Sequence, residues 1–233
     1  MIADSLRRAG VAASYWPLTL MALLVGVLFA MSGTQWWIET DENWVILPTL
    51  AALFASFSIF YLQSRRAGEP HNEEQGSFWS WLGWILLGLI PMLILILTHM
   101  AVTGFDQWFD KVEGTPVESF IFGVGIVLGT PMMVVSAGRA INLFGVSSWS
   151  VMAATLRNAK SILLTVTLLI ALPEFSSDLL SQIVRSETLS MSADLGFAVI
   201  ESILFFVNSL LTAGVYASIY RAVEYECVPM IAS

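Results

Sequence analysis

The stretch Phe197–Tyr220, FAVIESILFFVNSLLTAGVYASIY, decides how the rest of the chain is read. A helix crosses the ~30 Å hydrocarbon core of a bilayer with roughly 20 mostly apolar residues, and this run is long enough. It nevertheless carries Glu201 and Asn208. At 100° per residue these two fall within about 20° of each other, with Thr212 on the same line and Tyr216 at its edge. A polar stripe of this kind rests badly against lipid, so the face bearing Glu201, Asn208 and Thr212 is expected to turn inward. The other spans should then pack around this last helix.

The composition agrees with that setting. Of 233 residues, 57% are hydrophobic and only 12% charged, with a mean hydropathy of +0.77. Soluble domains carry about 25% charged residues. The chain is therefore expected to be solvated mainly by lipid, as a single integral membrane domain over residues 1–233. A formal charge of −8 lacks the basic footprint that nucleic acid requires. One cysteine, Cys227, excludes an internal disulfide framework and a multi-cysteine metal site, and it reads as a free thiol just past the last span. Arg7 and Arg8 precede an apolar run too long for the usual signal-peptide core, so that run reads as an uncleaved first span.

Hydropathy predicts an all-α polytopic bundle of about six transmembrane helices, near 14–31, 44–62, 79–101, 117–137, 161–180 and 197–220. Basic residues set the expected orientation. Arg7, Arg8, Arg65, Arg66, Arg139, Arg157, Lys160 and Arg221 fall on the N-terminal side of a six-span chain, and only Lys111 and Arg185 on the other. Eight against two predicts that both termini are cytoplasmic. Trp36, Trp37, Trp44 and Trp108 near one interface, and Trp16, Trp79, Trp81, Trp84 and Trp149 near the other, read as headgroup anchors.

Within the spans, Pro91 and Pro131 predict kinks, and Gly125 with Gly129 forms a small-xxx-small surface for close helix approach. Before the fifth span, Trp149, Met152, Ala153 and Leu156 recur at i, i+3, i+4 and i+7. This predicts an amphipathic helix lying in the interface. The fifth run is short, only about 18 Å from Ser161 to Leu172, and must extend past Pro173 and Glu174, or borrow from the amphipathic segment, to cross.

Chemistry is sparse. No nucleophile elbow, zinc-protease pair or phosphate-binding glycine loop is present, and the two histidines, His71 and His99, are assigned to opposite membrane sides. No catalytic residues, metal or cofactor are expected. Asp106, Asp110 and Glu113 would share a face if their loop is helical, an outer acidic cluster whose oxygens suit a hard cation but which reads more simply as a solvated face. The polar seam of Glu201, Asn208 and Thr212 is the other candidate.

Two stretches, GVSSWSVMAATLRNAKSILLTVTLLIALPE (145–174) and LLTAGVYASIYRAV (210–223), resemble bacterial six-span proteins related to the membrane domain found beside some glycerophosphodiester phosphodiesterases. The matching positions are Trp149, Arg157, Asn158, Gly214, Tyr220 and Arg221. The resemblance implies a six-helix bundle in a bacterial cytoplasmic (inner) membrane and carries no catalytic residues across.

The expected role is non-enzymatic: an accessory or scaffold subunit, or an envelope-related protein, whose partners are membrane lipids and other membrane protein subunits. The alternative is a transporter or permease component moving a small solute or proton along the polar seam. A membrane-embedded enzyme acting on lipids ranks third.

Overall fold

The computed structural model describes residues 1–32, 46–69, 76–104, 116–141, 146–176 and 191–227. Among the described residues the chain is helical, without strands. The helices are α1 (Ile2–Ala13), α2 (Trp16–Ser32), α3 (Ile46–Ala67), α4 (Phe78–Thr103), α5 (Pro116–Ile141), α6 (Ser148–Arg157), α7 (Ala159–Val166) and α8 (Met191–Cys227). Among the described residues, four segments are long and apolar enough to cross a membrane: Phe78–Thr103, Phe120–Ile141, Ala159–Ser176 and Ser202–Glu224. Helices α2 and α3 form where the first two spans were expected.

The short fifth run reaches its length by bending its own hydrogen-bond ladder. Helix α7 runs on through a π-helical turn, Thr167–Ala171, and stays helical to Ser176. Leu172 N–H donates to Thr167 O, a five-residue step. The cause lies one residue on. Pro173 has no N–H to donate, and its ring crowds the carbonyl four residues back, so the ladder widens ahead of it. The resulting segment Ala159–Ser176 has 18 residues, about 27 Å at 1.5 Å per residue.

Helix α8 is the centre, as its sequence demanded. It packs against α1, α2, α3, α5, α6 and the π turn. From Ala213 to Tyr220 every residue is buried. One side meets Val134, Val135, Val151, Ile162 and Val166 through Val215, Tyr216, Ile219 and Tyr220. The other meets Ala9, Ala12 and Ala67 through Ala213 and Ala217. Helix α4 is the opposite case: its most extensive contact is with α5.

Glycines make the close crossings. A Cβ on Gly129 would run into the Gly88 carbonyl, and one on Gly125 into Met92, so the α4–α5 pair meets along the expected small-residue surface. A Cβ on Gly214 would strike the Ser5 carbonyl and Ala9 N, and one on Gly138 the Tyr220 ring. Gly214 is thus the point at which α1 lies directly on α8.

Three readings from sequence need correction. Trp81 is fully buried among Phe60, Tyr61 and Phe78, so it is a core residue, whereas Trp16, Trp79 and Trp149 are exposed as anchors should be. Residues 2–13, which in sequence read only as the basic flank of the first span, form a helix of their own, α1, with Ser5, Arg8, Ala9 and Ala12 buried along one face. Leu210 stands two residues, about 200°, from Asn208, so helical geometry puts it opposite the polar seam and predicts a lipid-facing side chain; it is not lipid-facing. It is buried with Ala9, Ala67 and Ala213, because α1 and α3 cover that side of α8.

Candidate functional site

Local sequence first dictates how α1 is held. Asp4 and Arg8 stand one turn apart, and the Arg8 guanidinium bonds Asp4 Oδ2 from Nε at 2.8 Å. From Nη1 it bonds the Ala67 carbonyl at the end of α3 at 3.0 Å, and it approaches Glu69 at 3.5 Å. Arg7 reaches both Asp4 and Glu69. From α8, Ser218 bonds Asp4. Arg221 Nη2 donates to Gly68 O at 2.8 Å and to Glu69 O at 3.2 Å, while its Nη1 pairs with Glu224. Three helix ends therefore meet in one network of alternating charge.

Glu69 sits at the hub with a left-handed backbone, φ 48°, a conformation that side-chain-bearing residues seldom adopt. Its carbonyl and its carboxylate are both engaged by arginines, which offsets the conformational cost.

The charges are tuned by these contacts. Burial alone would push Asp4 upward. Bonds from Arg8, Ser218 and Arg7, together with the charge of Arg8, outweigh that and hold its carboxyl down at about 2. The bond from Arg7 likewise holds Glu69 below the usual carboxylate range. At the far end of α8, burial pushes the Cys227 thiol up, which disfavours the reactive thiolate.

Between these side chains lies a cavity of about 410 Å³, lined by Met1, Asp4, Arg8, Glu69, Ser218 and Arg221. Its lining carries two positive and two negative side chains. The surrounding end of the bundle is basic. Arg65 and Arg66 close α3, and Arg66 stacks over the Tyr15 ring at 4.7 Å. Arg139 bonds Ser148 at the α5–α6 junction, and Arg157 and Asn158 both reach Glu226.

The seam expected on α8 is only partly in view. Asn208 is buried, 8% exposed, and Thr212 is half-buried; the Glu201 side chain lies outside the described residues. Ser202, next to Glu201, is buried and donates to Leu23 O of α2 at 2.8 Å. Further along, Tyr216 bonds Thr130, the residue before Pro131 of α5. Ser202 and Tyr216 of α8 thus face neighbouring helices. Asp106, Asp110 and Glu113 also lie outside the described residues, as does His71. Among the described residues no group of three or more His, Cys, Asp or Glu could hold a metal ion.

Sequence reading passed over Asp4, Arg8, Ser218 and Glu69. Asp4 and Arg8 at i, i+4, with Ser5, Ala9 and Ala12 recurring along the same side, carried the signal for a packed amphipathic α1. The amphipathic segment 148–157 is a helix, but Val151, Ala154 and Thr155 form its protein-facing side while Trp149, Ala153 and Leu156 point away.

Compared with known proteins, the chain matches no family, no curated relative and no solved structure.

Proposed function

We propose that the chain is a non-enzymatic integral membrane protein of six spans that serves as an accessory or scaffold subunit. It would reside in a bacterial cytoplasmic membrane with both termini cytoplasmic. The observation that carries this reading is the flank made by α4. Only 17% of that span is buried, against 56% for α8, and Leu86, Ile90, Leu93, Ile94 and Leu97 are exposed along it. A helix anchored chiefly through its neighbour, with a mean hydropathy of 2.5, offers a lateral surface to lipid and to other spans. In this reading α6 rests in the interface on Trp149 and Leu156, the exposed side of that helix.

Photo-crosslinkers at Ile90, Leu93 and Leu97 test it in native membranes. A discrete protein adduct is the expected result, and adducts to lipid alone at all three positions would defeat the accessory role. Topology is checked separately by reporters after Ala67 and after Glu113. The first is expected to read cytoplasmic and the second external, and a shared side would refute the six-span arrangement.

The second reading, transport along the polar face of α8, is favoured by the burial of Asn208 and by the Tyr216–Thr130 pair beside Pro131. Cysteines at Asn208 and Thr212 separate the two. Labelling by a small water-soluble reagent supports a conducting seam. Protection at both, with lipid-phase labelling at the exposed Ile203 and Val207, supports a closed one.

A further inference from the structure

The cavity at the basic end is more than a clasp between helices. A latch alone would close its charges on one another, yet about 410 Å³ of space remains among Asp4, Arg8, Glu69 and Arg221. Both guanidiniums are held rigidly, with side-chain exposures of 10% for Arg8 and 16% for Arg221. Each retains donors. Arg8 commits Nε and Nη1, and Arg221 commits Nη1 and Nη2. Arg8 Nη2 and Arg221 Nε have no acceptor among the described residues, from the five N–H groups each guanidinium presents.

The ligand chemistry follows from the wall. Guanidiniums bind phosphate oxygens, often with paired bonds. A bare phosphate, however, would also face the carboxylates of Asp4 and Glu69. A group carrying a phosphate and a primary ammonium a few bonds apart satisfies both signs at once. Place points the same way: exposed Tyr15 and Trp16, with Arg66 stacked on Tyr15, mark this end of the bundle as the headgroup layer.

We propose that this cavity binds a phosphoethanolamine group, its phosphate toward Arg8 and Arg221 and its ammonium toward Asp4 and Glu69. The group comes either from a membrane lipid headgroup or from a soluble glycerophosphoethanolamine. The site is independent of the accessory role and stands or falls separately from it.

Native mass spectrometry of the detergent-purified full chain tests the proposal with dioleoyl phosphatidylethanolamine, phosphatidylcholine and phosphatidylglycerol. The choline lipid keeps the charge but has no N–H donor, and the glycerol lipid lacks the cation. Each is expected to bind about tenfold more weakly than the ethanolamine lipid, the loss of one charge-assisted bond. Asp4→Asn and, independently, Glu69→Gln should each shift the preference toward the anionic glycerol lipid by a similar factor. Competition with glycerophosphoethanolamine assigns the source: displacement at equal concentration favours the soluble compound, and displacement only in large excess favours the lipid. Equal binding of the three lipids by the unaltered chain overturns the site, whichever variants fold. So does an ethanolamine preference that survives both substitutions.

Discussion

The two halves of α8 are built on opposite principles. Toward the N-terminal half, Val199, Ile200, Ile203, Phe205 and Val207 are exposed, and Gly196 has nothing near it. Toward the C-terminal half, every residue from Ala213 to Tyr220 is buried, and Gly214 is pressed against the backbone of α1. The first half is largely apolar surface, tied to α2 by the bond from Ser202 to Leu23 O. The second is a close-packed joint finished by ion pairs. In a bilayer, lipid tails are as apolar as leucine, so burial of apolar area gives helices little reason to associate. Backbone approach and polar contacts have to do it, and within α8 both are densest toward the basic end, at Gly214, Ser218 and Arg221.

The largest effect that can break this comparison is at the two glycines. Gly214→Leu should destabilise by about 3 kcal/mol or more, because the obstacle is backbone and α1 must move off α8. Gly196→Leu, one helix but a different half, should stay within about 0.5 kcal/mol. Melting in detergent reads both, and similar losses would erase the distinction.

Next comes the polar finish. Arg8→Met removes bonds to Asp4 and to the Ala67 carbonyl and should cost about 2 kcal/mol. Arg7→Met, on an exposed side chain whose ion pairs are screened by solvent, should leave the melting temperature where it was. Limited proteolysis near residue 14 would show α1 released in the first variant and protected in the second.

A smaller change should run the other way. Gln63 of α3 is completely buried, and among the described residues neither its amide nitrogen nor its oxygen has a bonding partner. Gln63→Met keeps the length and removes the unmet polar atoms, so a gain of about 1 kcal/mol is expected, and a loss would mean the amide has work to do there.

The smallest effect is with pH. Asp4 is depressed from 3.8 to about 2, so its contribution is complete above the unfolded value and disappears as pH falls through the folded one. Between about pH 4 and about pH 2 the unaltered chain should lose stability that Asp4→Asn never had, and the two melting curves should converge. Curves that stay parallel over that window would remove Asp4 from the joint.

Much of this was legible in the residues. The apolar runs place the helices because in lipid only a helix satisfies its backbone groups within a single segment, and the polar stripe on the last run pointed to it as the centre. Gly125 and Gly129 announced that α5 approaches a neighbour closely, though not that the neighbour is α4. What escaped reading is of another kind. Helix α1 has low overall hydropathy, and its burial depends on the ends of α3 and α8, more than fifty residues away. Trp81 looked like its neighbours Trp79 and Trp84, and only the arrival of Phe60 and Tyr61 from α3 distinguishes it. Leu210 faced away from Asn208 on the helical wheel, but a central helix has no outer side there. The hub at Glu69 rests on a backbone angle that no residue type announces.

The Gly214 contact also sets an order of events in the living cell. Ser5 and Ala9 leave the ribosome about two hundred residues before the glycine they lean on. At roughly 5–20 residues per second, α1 waits some 10–40 s for its partner. During that interval Arg7 and Arg8 are without Glu69 for part of the time and Asp4 is without Ser218 throughout. An amphipathic segment with two arginines is suited to rest on an anionic membrane surface until called in. Helix α8 thus collects α1 across the whole intervening chain, and the contact between them cannot form before Gly214 has been made.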